Sequence, residues 1–174
     1  INVSIRQKLD LFACVRPIRY FPGTSSPMVE SNLTDMVVFR ENTEDLYSGI
    51  EWKPDSEGAK KIIEFIKNEL GESPFRFEEN CGIGIKPVSK EGSERLINMA
   101  IDFALNEKRD SLTIVHKGNI MKYTEGAFRD WAYELVKKKY HGSVNKDGTY
   151  TIKCSKSNHV LTIKDCIADN FLQQ

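Results

Sequence analysis

A chain of 174 residues is the size of one ordinary domain, and 40% apolar with 29% charged residues can bury a real core, so disorder is not the default expectation. Its 25 Lys and Arg balance 25 Asp and Glu, leaving no broad positive field for nucleic acid, so a local Arg cluster reads as recognition of a small anion. The longest apolar run, residues 11–15, is too short to cross a bilayer, and no basic segment precedes a hydrophobic stretch, so a soluble, non-secreted protein is expected.

In chain order, β-rich runs are expected at 11–15, 36–39, 75–77, 83–85, 112–115, 149–153 and 160–163. Three helices lie between them. Ala59, Ile62, Ile63, Ile66 and Leu70 recur at helical spacing, with Asp55 or Ser56 as N-cap and Gly71 as the stop. Leu96, Ala100, Phe103 and Ala104 mark a second helix, and Ala127, Phe128, Trp131, Leu135 and Val136 a third. Strand–helix alternation over 83–140 predicts an α/β layer, and 145–164 a hairpin turning at 155–158. Residues 75–87 could pair as a second hairpin, which alone is marginal in water and calls for a neighbour. The chain opens on Ile1 without Met and closes without a helix stop, as a piece of a longer protein would. Cys14, Cys81, Cys154 and Cys166 show neither C-x-x-C nor zinc spacing and read as small buried hydrophobes in a reducing compartment.

Arg6, Arg16 and Arg40 each sit at or just past an apolar stretch, where element ends can aim them at one cleft. Three guanidinium forks suit a di- or tricarboxylic acid, because each binds a carboxylate through two parallel hydrogen bonds. Any one of them alone is more often a solvated side chain. Lys117 stands where an apolar strand yields to a glycine turn, a position that projects into a site at a sheet's carboxyl edge; the plain alternative is an exposed turn lysine. His116 reads as a packing residue, and His141 and His159 lack metal-ligand spacing. Tyr47 lies among acids and could pass a proton, or simply pack. Asp169 could ligate a hard cation, although one carboxylate does not make a site. Gly82-Ile83-Gly84 is not a dinucleotide fingerprint, since no third glycine and helix start follow.

Taken as an ordered set, Asn2-Val3-Ser4-Ile5-Arg6, Val15-Arg16-Pro17-Ile18-Arg19-Tyr20-Phe21-Pro22-Gly23, Phe39-Arg40-Glu41-Asn42-Thr43-Glu44-Asp45, Val115-His116-Lys117-Gly118-Asn119-Ile120-Met121 and Ile167-Ala168-Asp169 resemble the β-decarboxylating dehydrogenases, in their bacterial NADP-dependent isocitrate dehydrogenase branch. The resemblance implies an isopropylmalate dehydrogenase-like small domain over residues 1–174, a mixed sheet with flanking helices, carrying an intersubunit clasp at about 45–89 and lacking most of the large nucleotide-binding domain. It implies that Asn2, Arg6, Arg16 and Arg40 hold the isocitrate carboxylates, that Tyr47 and Lys117 transfer protons, that Asn119 lies near NADP, and that Asp169 is a ligand of Mg²⁺ or Mn²⁺. It further implies a homodimer with shared active sites, in which Lys117 and Asp169 complete a site whose Tyr47 and arginines belong to the partner. The piece alone is then expected to be inactive and poorly stable. A non-catalytic dimerisation or carboxylate-binding module would not need Lys117 and Tyr47 together, and 3-isopropylmalate dehydrogenase is the neighbouring enzyme; Asn2 and the run Tyr20-Phe21-Pro22-Gly23-Thr24 favour isocitrate.

Overall fold

The computed structural model describes residues 2–72, 75–154 and 157–172, with the side chains of Asn2 and Val3 outside that description. The chain divides into two compact units, one formed by residues 1–43 with 88–174 and the other by Glu44–Pro87.

In the first unit, α1 (Asn2–Lys8) leads into an antiparallel ribbon of β1 (Ala13–Arg19) and β2 (Asp35–Glu41). Helix α3 (Lys90–Asn106) follows, N-capped by Ser89, whose hydroxyl accepts the Gly92 N–H at 3.0 Å. A four-stranded sheet then forms in the order β5 (Ser111–His116), β8 (Val160–Ile167), β7 (Tyr150–Lys153), β6 (Ser143–Val144), with β5 and β8 parallel and the other pairs antiparallel. Helix α4 (Ala127–Lys138) enters through a π-helical turn over Lys122–Gly126, and α5 (Ala168–Phe171) closes the unit.

The core lies between one face of this sheet and α3 with α4. Ile101 and Val136 from the helices meet Ile114, Ile152, Leu161 and Ile163 from the strands, all nearly or fully buried. Burying each such aliphatic side chain is worth about 1.5–3 kcal/mol, so this cluster carries much of the unit's stability. Phe39 of the ribbon packs against Phe103 of α3 with the rings tilted by 60° and their centroids 5.4 Å apart. The three helices stand where apolar spacing places them, and the 145–164 hairpin is β7 with β8, its turn at Ser155 and Lys156 lying outside the described residues. Helix α1 carries no apolar stripe and escapes the sequence reading.

The second unit holds β3 (Glu51–Trp52), α2 (Glu57–Asn68) and β4 (Ile83–Gly84). Ser56 is the N-cap of α2, accepting the Ala59 N–H at 3.3 Å, and Gly71 beyond its end takes the left-handed conformation at φ +68°. The hairpin expected within 75–87 does not form. Residues 75–77 are not a strand, and β4 pairs with β3 instead, Trp52 opposite Ile83. The competing ties are side-chain ones: Lys67 binds Glu78 at 2.8 Å and Asp55 accepts the Asn80 N–H at 3.0 Å, holding the intervening segment beside α2. Because β4 belongs with β3, the α/β layer expected from residue 83 starts only at α3 and β5. The four cysteines are half-buried rather than buried.

Candidate functional site

The parallel pair β5 and β8 sets the geometry. Their carboxyl ends are level, His116 standing opposite Ile167, so the residues that leave each strand emerge side by side. Lys117 follows β5 directly and Asp169 lies in the first turn after β8, and the Lys117 ammonium forms an ion pair with the Asp169 carboxylate. Carboxyl ends of parallel strands are where open α/β sheets place their ligands. The sequence reading of Lys117 as a residue projecting from a sheet edge is therefore matched by its position.

The backbone of Lys117 is fixed from both directions. Its N–H donates to Glu125 Oε2 at 2.9 Å, and its carbonyl accepts the N–H groups of Ile120 and Met121, each at 3.1 Å. The next amide, Gly118 N–H, donates to His116 Nδ1 at 3.0 Å. That bond leaves the ring proton on Nε2, which faces Asp165 Oδ2 at 2.9 Å. Tyr133 of α4 donates to the other oxygen, Asp165 Oδ1, at 2.6 Å. Burial, and then the Asp165 carboxylate, push the Tyr133 phenol well above its usual range, so it stays a donor. Burial alone would raise Asp165, but the hydrogen bonds from Tyr133 and His116 prevail and hold its carboxyl below the usual value. His116 is only 3% exposed, in keeping with a packing residue. Asp165, Tyr133 and Glu125 went unnoticed in the sequence, although Asp165 interrupts the inward alternation of Leu161 and Ile163 and is a signal of that kind.

Arg16 and Arg40 share one face of the β1–β2 ribbon. Arg16 stands opposite Val38 and Cys14 opposite Arg40, so the two arginines are diagonal neighbours, an arrangement about 7–8 Å apart. The acids of these strands, Asp35 and Glu41, belong to the opposite face, where Asp35 binds Arg109 at 3.0 Å. Arg6 lies on α1 just before β1, and Asn2 has its side chain outside the described residues. Asn119 is exposed in the turn after Lys117. Tyr47 belongs to the other unit, in a 3-10 turn over Asp45–Ser48, and is 38% exposed. Within that unit Lys86 binds Asp45 at 2.5 Å beside the turn.

A hollow of about 580 Å³ between β2 and β5 is lined by Val37, Phe39, Ala100, Leu112 and Phe171, and none of the candidate site residues lines it. No group of three or more His, Cys, Asp or Glu that could hold a metal gathers among the described residues. Asp169 fits the chemistry of one oxygen ligand to a hard cation. No described helix is long and apolar enough to cross a membrane.

Residues 2–174 match the family model described as isocitrate/isopropylmalate dehydrogenase. The chain is 54% identical over 175 residues to isocitrate dehydrogenase (NADP) 1 of Psychrobacter sp., covering 100% of this chain and 42% of that protein. It is 51% identical over 175 residues to isocitrate dehydrogenase (NADP) of Helicobacter pylori, covering 100% of this chain and 41% of that one. Among solved structures, isocitrate dehydrogenase from Methylococcus capsulatus superposes with a TM-score of 0.68 at 30% identity, covering 100% of this chain and 39% of the other. The chain thus spans about two fifths of the length of the curated relatives it matches.

Proposed function

The chain belongs to the isocitrate/isopropylmalate dehydrogenase family, and from that premise we propose that the protein containing it oxidatively decarboxylates isocitrate to 2-oxoglutarate and CO₂ with NADP as hydride acceptor. The single observation that carries this reading is the pairing of Lys117 with Asp169 at the level carboxyl ends of β5 and β8. It sets a lysine beside a carboxylate suited to a cation.

Asn2, Arg6, Arg16 and Arg40 bind the substrate carboxylates, the guanidinium forks fixing orientation as well as charge. Lys117, once its own proton has passed to solvent, assists loss of the substrate hydroxyl proton, and Tyr47 protonates the enol left after decarboxylation. Asp169 is one ligand of Mg²⁺ or Mn²⁺, which when bound acts as a Lewis acid on the substrate hydroxyl and its adjacent carboxylate. Asn119 lies on the side of the NADP. The unit Glu44–Pro87 acts as an intersubunit clasp of a cytoplasmic homodimer, in which Lys117 and Asp169 of one subunit complete the site formed by Tyr47 and the arginines of the other.

The test is steady-state turnover of isocitrate by the intact enzyme and its Lys117→Met variant. The variant is expected to lose about 100-fold or more in kcat, the scale of one proton-transfer residue. A parent enzyme that turns over 3-isopropylmalate, or binds dicarboxylates without turnover, overturns the reading in favour of the neighbouring dehydrogenase or a binding module.

A further inference from the structure

The hydrogen-bonded series Tyr133, Asp165, His116, Gly118 ends at the turn that carries Lys117. All of its side chains lie on the helix-facing side of the sheet. Ile114 stands opposite Asp165 in the β5–β8 register, and His116, two residues on, falls on the same face. A histidine this deeply buried is costly unless both ring nitrogens are satisfied, and here both are. The proton count allows one arrangement: Gly118 N–H needs an unprotonated Nδ1, so Nε2 donates to Asp165, and Asp165, accepting from Tyr133 as well, needs no proton of its own. The turn is also held sterically, since a Cβ on Gly118 would lie 3.0 Å from His116 Nδ1 and 2.8 Å from the Cα of Gly126.

We propose that His116 is a positioning residue for Lys117, its Nδ1 anchoring the Gly118 amide so that the lysine leaves the sheet edge toward Asp169, with Asp165 and Tyr133 fixing the ring's tautomer and tilt. This rests on the reading of Lys117 as a proton-transfer residue. Lys117 is one residue from the anchored amide, so a freed Gly118 N–H lets the turn rotate and swings the ammonium away from its partner. Misplacing a reacting group by about 1 Å can cost on the order of 100-fold in rate.

The intact enzyme with His116→Asn, His116→Gln and His116→Leu tests this. Asn keeps an acceptor oxygen near the place of Nδ1, Gln reaches toward Asp165 without serving Gly118, and Leu does neither. We expect kcat for isocitrate to fall about tenfold or more in the Gln and Leu variants and to return to within about threefold of the parent in the Asn variant, with KM changing by less than about twofold. Amide hydrogen exchange at Gly118 should quicken in Gln and Leu and remain slow in Asn. If the Leu variant does not fold, the comparison of Asn with Gln decides. Equal kcat in Asn and Gln variants, or kcat that follows melting temperature alone, overturns the proposal. A parent that does not turn over isocitrate overturns the functional reading instead, and the exchange rates then decide by themselves whether His116 holds the turn.

Discussion

Gly118 and Gly126 meet backbone to backbone: a Cβ placed on Gly118 would lie 2.8 Å from the Cα and 3.0 Å from the N of Gly126. Neither glycine is there for a left-handed conformation; Gly118 makes room for Gly126 where the loop carrying Lys117 crosses the π-helical turn, whereas a Cβ on Gly126 would come no nearer to Gly118 than 3.6 Å. Gly118→Ala should therefore force main chain apart, costing about 1–3 kcal/mol, as overpacking of a filled site does. Gly84→Ala is the control, because nothing lies within 4 Å of a Cβ there. Urea unfolding should show a clear loss for the first and a change within about 0.5 kcal/mol for the second. Equal effects would mean that the close approach is not what restrains the turn.

A similar contact organises the unit Glu44–Pro87. A Cβ on Gly58 would fall 2.2 Å from Cδ1 of the Trp52 indole, so the ring of β3 lies on the first turn of α2 through the gap the glycine leaves. Gly58→Ala should displace the indole. In a background where Trp131 and every other Trp of the intact protein are replaced by Phe, the Trp52 emission is expected to shift toward the red, and an unchanged spectrum would count against this packing.

Ser89 starts the helix that supplies much of the core. Its hydroxyl accepts the Gly92 N–H at 3.0 Å, satisfying one of the amides that a helix start leaves without a partner. Ser89→Ala should cost about 1 kcal/mol, while Ser89→Asp should retain most of the stability. Thermal melts of the two variants side by side would reveal a cap of no consequence if they coincide.

Glu134 gives the fold a dependence on acid. The hydrogen bond from Lys138 first, and then that from Lys90, hold its carboxyl down to about 2 from a reference of 4.5. A folded-state pKa below the unfolded one means that this stabilisation is fully present above about pH 4.5 and is lost as pH falls toward about 2. The urea midpoint of the parent should exceed that of Glu134→Gln at neutral pH, and the gap should close through that window. Added salt should narrow it, because these groups meet at the surface. A gap that does not vary with pH would show that the carboxylate charge is not its source.

What could be read from the residues alone was whatever local order writes into periodicity or contiguous motif. The stripe from Ala59 to Leu70 places α2, the alternating run to Ile163 places β8, and the ordered segments around Arg16, Arg40, Lys117 and Asp169 carry the family. Tertiary structure decided the partnerships, because strand pairing and ion pairs join residues that sequence distance conceals. It turned β4 onto β3 rather than onto residues 75–77, and it set β5 beside β8, which brings Lys117 to Asp169 across 52 residues of chain. Above all, it joined Tyr133 and the partly exposed Asp165 to the buried His116 on one side of the sheet. Composition marks a buried histidine only as an anomaly; the hydrogen bonds that make its burial affordable exist once α4 has packed against the sheet.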